Sequence, residues 1–92
     1  MKKQINHVKT FHETFGINNE ESPVGDVGHD TFMLRYKLMR EENEEYLEAA
    51  EHGDLVEIAD ALGDMMYILS GTILSHGLQH IIEDVFEEIQ RS

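Results

Sequence analysis

Apolar residues recur along this chain at intervals of three and four, and nowhere do they alternate as a half-buried strand would. Residues 4–15 place Ile5, Val8, Phe11 and Phe15 on one helical face, with Gly16 as the stop. From Ile17 to Asp30 the chain is polar and holds Pro23, Gly25 and Gly28. That reads as a loop of about fourteen residues, long enough to raise the question of function. Asp30 is expected to cap a second helix running to about His52, with Gly53 as its left-handed end. Asp54-Leu55-Val56-Glu57 has the form of a reciprocal capping box and opens a third helix, which ends at Ser75 or His76 before Gly77. A fourth is expected from about Leu78 to Arg91, with Ile81, Ile82, Val85, Phe86 and Ile89 on one face. No repeat or low-complexity tract interrupts this order. The pattern predicts an all-α fold: one domain over residues 1–92, a four-helix bundle-like protomer.

Within that frame the positions of the acids are unusual. At 100° per residue, Leu34, Leu38, Glu41, Glu45 and Ala49 share a narrow stripe of the second helix, and Glu42 lies at its edge. Glu44 and Glu48 point elsewhere, as solvent-facing charge. On the third helix Glu57, Asp60, Ala61, Asp64 and Ile68 form a comparable stripe, while Ile58, Leu62, Met66, Leu69 and Ile73 cover the remaining faces. Only Gly53 and its neighbours separate the two helices, so they are expected to pack antiparallel with their acids facing.

Buried carboxylates must be paired or neutralised, because an isolated buried ion costs several kcal/mol. Arg35, Lys37 and Arg40 are the bases of these helices, too few and mostly off the stripe. A divalent cation does the work more economically. Mg²⁺ takes oxygen ligands and keeps water or phosphate in its other positions, and carboxylates three or four residues apart on facing helices build such sites.

Composition narrows the rest. The chain has 92 residues, 40% of them hydrophobic, a size at which a core is often shared with a partner subunit. The third helix is apolar over most of its circumference, which predicts at least a dimer. Nineteen acids against seven bases give a net charge of −12, which argues against a nucleic-acid polymer as partner and is compatible with divalent cations. With no cysteine there is neither a disulfide nor a thiolate ligand or nucleophile. Every apolar run is shorter than a membrane span and no charged-then-apolar leader opens the chain, so the expected location is the cytoplasm, with no membrane partner.

Plainer explanations exist for each feature. A run such as Glu41 to Glu45 is more often a solvated helix face than a site. Glu57 can be explained by capping alone, and Asp60 and Asp64 by a polar subunit seam. The six histidines show no zinc-ligand spacing and read as surface residues, except His12, which neighbours Phe11 and Phe15 near the loop. The five methionines are most simply core filler.

The paired acids nevertheless resemble a known family. Glu41-Glu42-x-x-Glu45, a short gap, and then an acid-x-x-Asp element entering an apolar helix are similar to the MazG-like all-α nucleoside triphosphate pyrophosphohydrolases. The phosphoribosyl-ATP pyrophosphohydrolase-like branch is nearest. "FHETFG" (Phe11–Gly16), "GDLVEIADALGDMMYILSGT" (Gly53–Thr72) and "EDVFEEIQRS" (Glu83–Ser92) carry the likeness over nearly the whole chain.

The resemblance implies hydrolysis of a nucleotide between its α- and β-phosphates, Mg²⁺ (or Mn²⁺) held by acids of the two central helices, and assembly into dimers or tetramers. Glu42 and Glu45 would be metal ligands, and Glu41 a further ligand or the group that orients the attacking water. The second motif departs from the family's pattern. Its Asp would be Asp64 and its Glu would fall on Ala61, with Asp60 as stand-in. The other register, Glu57-x-x-Asp60, keeps both acids a turn earlier. His12, Lys9, Arg35, Lys37, Arg40 and Arg91 are the candidates for substrate and phosphate contacts, and relatives are expected to continue past Arg91-Ser92 with a polar, basic segment.

The implied chemistry is metal-assisted hydrolysis in which a carboxylate accepts the proton of water. No Gly-x-x-x-x-Gly-Lys loop is available to cradle phosphate. Two other classes compete: a nucleotide or metal sensor that has lost turnover, which Ala61 supports, and a structural module with acids at its seam.

Overall fold

The computed structural model describes all 92 residues, and it is all-α with no strand. Its helices are α1 (Lys2–Thr14), α2 (His29–His52), α3 (Leu55–Ser75) and α4 (Ile82–Arg91). They belong to two compact units, one of Met1–Val27 with Ser70–Ser92 and one of Gly28–Leu69.

In the first unit Ile5 and Val8 of α1 meet Ile73 and Leu74 of α3 in a closed aliphatic cluster, with Leu78 and Ile82 packed against it. Leu74 is completely buried. The loop expected after Gly16 is fastened down. Glu20 N–H donates to the Leu74 carbonyl and Val24 N–H to that of His76. Side chains add to these ties: His76 Nδ1 lies 2.9 Å from the Val24 carbonyl, and Gln79 Nε2 donates to that of Glu20 at 2.8 Å. The backbone bonds use carbonyls at the end of α3 that a helix terminus leaves open. Gly77 permits the approach, since its φ is +66° and a Cβ there would collide with the Ser22 carbonyl.

α4 begins at Ile82, four residues later than the periodicity predicts. Leu78 is the reason. Its N–H bonds back to Ile73 O to close α3, its side chain packs on the core, and its carbonyl accepts from both Ile81 and Ile82. Residues 78–81 are therefore a turn.

The second unit is the α2–α3 hairpin. Gly53 adopts φ 64°, the left-handed end expected of it. Asp54 Oδ1 accepts from Val56 N and Glu57 N at 3.1 and 3.2 Å, so the acidic cap forms. The reciprocal half does not, because the Asp54 N–H goes to Ala49 O. Glu57 is thereby released from capping. At the other end Gly28, at φ 88°, is the cap residue of α2 in place of Asp30, which lies in the first turn. There its charge favours the helix N-terminus.

The hairpin's inward stripe keeps Ala49 from the expected one but takes Arg35 and Glu42 in place of Leu34 and Glu41. Arg35 and Ala49 are buried and Glu42 is half-buried, while Leu34 and Glu41 are exposed. Arg35 makes the difference: its guanidinium Nη2 donates to the Ile68 carbonyl at 2.9 Å, which lets a charged residue take a core position and pins α2 to α3. Burial holds that guanidinium below its ordinary pKa. The methionines are not core filler either, as none of the five is fully buried. No helix is long and apolar enough to cross a membrane.

Candidate functional site

The antiparallel hairpin is held at one end by the Asp54 cap and farther along by Arg35 on Ile68. Between these ties, Glu42 and Glu45 of α2 face Asp64 of α3. One carboxylate oxygen from each lies within 4.8 Å of the others. The three-residue step from Glu42 to Glu45 keeps both on one side of α2, and the opposed run of α3 supplies the third oxygen.

Glu42 is the member under greatest electrostatic load. Burial pushes its carboxyl above the usual range, a hydrogen bond that the protonated carboxyl donates to Glu45 and that residue's charge add to the shift, and the charges of Asp64 and Glu41 add the remainder. Its Oε2 is buried and has no hydrogen-bond partner. A buried carboxylate oxygen without a donor is costly, and a cation is what would satisfy it. The donor set is three hard carboxylates, which suits Mg²⁺ or Mn²⁺ and offers nothing to softer metals. The residues therefore fit a divalent ion.

A cavity of about 470 Å³ continues from this cluster through Glu45. Buried Ala49 and Ala61 are among its walls, and Glu48, His52, Glu57 and Asp60 also line it. Glu57 and Asp60 thus share a cavity with Glu45, one turn or more from Asp64. Glu48 lines the cavity as well, contrary to the expectation that it faces away. From Glu45 the positions 48, 49 and 52 follow at helical spacing, so the face that carries Glu45 carries them too. His52 is the lining residue that sequence reasoning missed. The same spacing could have found it. Its Nδ1 lies 2.8 Å from the Glu48 carbonyl. Glu44 does face outward, where it pairs with Arg40 at 3.0 Å.

The remaining candidates lie elsewhere. Glu41 is exposed and outside the three-carboxylate group, yet near enough for its charge to act on Glu42. Lys37 is exposed on α2. Arg35 is committed to the hairpin. In the other unit His12 is only 3% exposed, with Nδ1 at 2.6 Å from Asn19 Oδ1. Arg91, near the end of α4, is exposed and pairs with Glu88 at 2.9 Å.

The sequence profile of the family described as Phosphoribosyl-ATP pyrophosphohydrolase matches residues 8–92, and the chain belongs to that family. It is a family of pyrophosphohydrolases, hydrolases that act on phosphoric anhydrides. No curated protein and no solved structure matches the chain.

Proposed function

We propose that this member of the phosphoribosyl-ATP pyrophosphohydrolase family hydrolyses a nucleoside triphosphate or related nucleotide between its α- and β-phosphates, releasing the monophosphate and pyrophosphate. The observation that carries the reading is the cluster of Glu42, Glu45 and Asp64 around the unsatisfied Glu42 oxygen. These three residues would hold Mg²⁺, or Mn²⁺. When bound, the ion neutralises charge on phosphate oxygens and makes water more acidic. Glu41, exposed beside the cluster, orients the attacking water and accepts its proton. Glu57 and Asp60, with Glu45, extend the acidic wall toward a further cation. Arg35 acts by fixing the register of α2 on α3, which sets the separation of the three carboxylates. His12, Lys37 and Arg91 are the proposed substrate contacts. Residues 1–92 act as one domain of this enzyme, which works in the cytoplasm and self-associates as a dimer or tetramer.

Ala61 favours one rival, a protein that binds metal and nucleotide without turnover, because it stands where the resemblance expects an acid. A panel of canonical and damaged nucleoside triphosphates, incubated with Mg²⁺ and assayed for pyrophosphate, separates the two. Pyrophosphate from any member supports hydrolysis. Nucleotide binding with no pyrophosphate from any member establishes the rival.

A further inference from the structure

Positive charge is scarce in this chain, and its distribution is uneven. Residues 1–12 hold three of the seven bases and no acid, whereas all nineteen acids lie from Glu13 onward. The arginines are committed: Arg35 to the Ile68 carbonyl, Arg40 to Glu44 and Arg91 to Glu88. Lys2 and Lys9 pair with no carboxylate.

Those two lysines line one pocket of about 310 Å³, wholly within the unit that holds α1 and α4. Lys2, Asn6 and Lys9 follow at steps of four and three, so a single stripe of α1 supplies one wall. The turn at residues 78–81, which delays the start of α4, contributes Gln79 and His80. Ile5 and Leu74 of the closed aliphatic cluster also line the pocket, which makes it a preformed feature of the fold. Glu83, the one carboxylate of the lining, lies 3.6 Å from the Met1 amino group, and its charge is matched there.

Two ammonium groups on one stripe suit an anion of more than one charge. A phosphomonoester carries nearly two on a single group with three acceptor oxygens, where a carboxylate carries one. Gln79 narrows the choice further. Its Nε2 donates to the Glu20 carbonyl, which fixes the orientation of the amide, and its Oε1 is buried with no partner. A buried acceptor without a donor is costly. A ligand with a hydroxyl beside its phosphate brings that donor.

We infer that the pocket of Lys2, Asn6, Lys9, Gln79 and His80 is a second binding site, which takes a small hydroxyl-bearing phosphomonoester without a metal. It needs none of the residues to which hydrolysis is assigned.

The test is isothermal titration calorimetry on the full chain, at low ionic strength in buffer containing EDTA, with glycerol 3-phosphate as the probe. EDTA leaves the hairpin's carboxylates without a cation, where they repel phosphate, so this binding stands or fails separately from hydrolysis. Saturable one-to-one binding is expected. It should weaken roughly tenfold in Lys9→Gln and in Lys2→Gln, the worth of one charge-assisted hydrogen bond. Lys2 is exposed and Lys9 half-buried, so neither substitution threatens the fold. Lys3→Gln makes the same change in net charge outside the pocket and is expected to bind as wild type does. Inorganic phosphate is expected to bind less tightly than the ester. Absence of saturable binding to wild type overturns the inference, and so does affinity unchanged in both Lys2→Gln and Lys9→Gln. Equal weakening in all three variants would mark a diffuse charge effect and overturn it too, as would inorganic phosphate binding as tightly as the ester.

Discussion

The two compact units bury opposite kinds of residue. The unit of α1, the end of α3 and α4 encloses Ile5, Val8, Ile73 and Leu74 and fastens a polar loop over the helix end. The hairpin encloses two alanines and an arginine, and leaves three carboxylates crowded together and a strip of hydrocarbon exposed. The first arrangement stabilises a chain. The second contributes little burial, and its acids repel. Such a hairpin is suited to binding, and its three crowded carboxylates are the donor set proposed to hold a divalent cation.

That contrast predicts effects of different kinds in the two units. The largest is on turnover. Glu45→Gln and Asp64→Asn are each expected to reduce Mg²⁺-dependent pyrophosphate release roughly 1,000-fold, about 4 kcal/mol of barrier. Neither should melt below the parent in metal-free buffer, because each removes one of several repelling charges. Assaying both properties on the same preparations checks this, and a variant that loses activity only by unfolding would erase the distinction between the units. In the other unit the effect is on stability. Leu74→Ala leaves a cavity in the aliphatic cluster and should cost about 3 kcal/mol by urea denaturation, with turnover per folded molecule unchanged.

A smaller, pH-dependent effect sharpens the comparison. The folded protein holds a proton on Glu42 more tightly than the unfolded chain does, whose carboxyl titrates at the ordinary 4.5. The resulting stabilisation is complete below the unfolded pKa and is lost as pH rises through the folded one. Above that window the ionised group is a liability. Glu42→Gln should therefore melt higher than wild type at pH 7 without metal, and level with it near pH 4. A lower melting point at both values would mean that Glu42 is a favourable structural partner. Glu44→Gln, which loses only an exposed pair with Arg40, should stay within about 0.5 kcal/mol of wild type and keep its activity.

Helix existence was legible from the sequence because periodicity reports burial of ordinary apolar side chains. Gly53 and the Asp54 cap were legible because each has one strong local cause. On the inward face of α2 Arg35 takes the place expected of Leu34, since a hydrophobic pattern has no way to score an arginine as a core side chain. The start of α4 was misplaced because Leu78 serves a tertiary contact instead of a helical one. For the site, the approach of Glu42 and Glu45 to Asp64 followed from helix geometry plus a short turn. Glu48 and His52 were not legible as cavity walls, because a hydrophobic pattern gives polar positions no inward weight. Whether Glu57 was occupied in a capping box depended on where the Asp54 N–H goes, a backbone detail that residue types do not encode.

The shift in melting temperature on adding Mg²⁺ tests most directly whether the carboxylates of the hairpin are assembled to bind a divalent ion. A ligand that binds only the folded state raises the melting point as its occupancy rises. Wild type and Glu44→Gln are predicted to rise together as Mg²⁺ is titrated to millimolar levels, while Asp64→Asn and Glu45→Gln stay flat. If all four proteins shifted equally, or none shifted, the acids would be a charged helix face and the hairpin would hold no metal site.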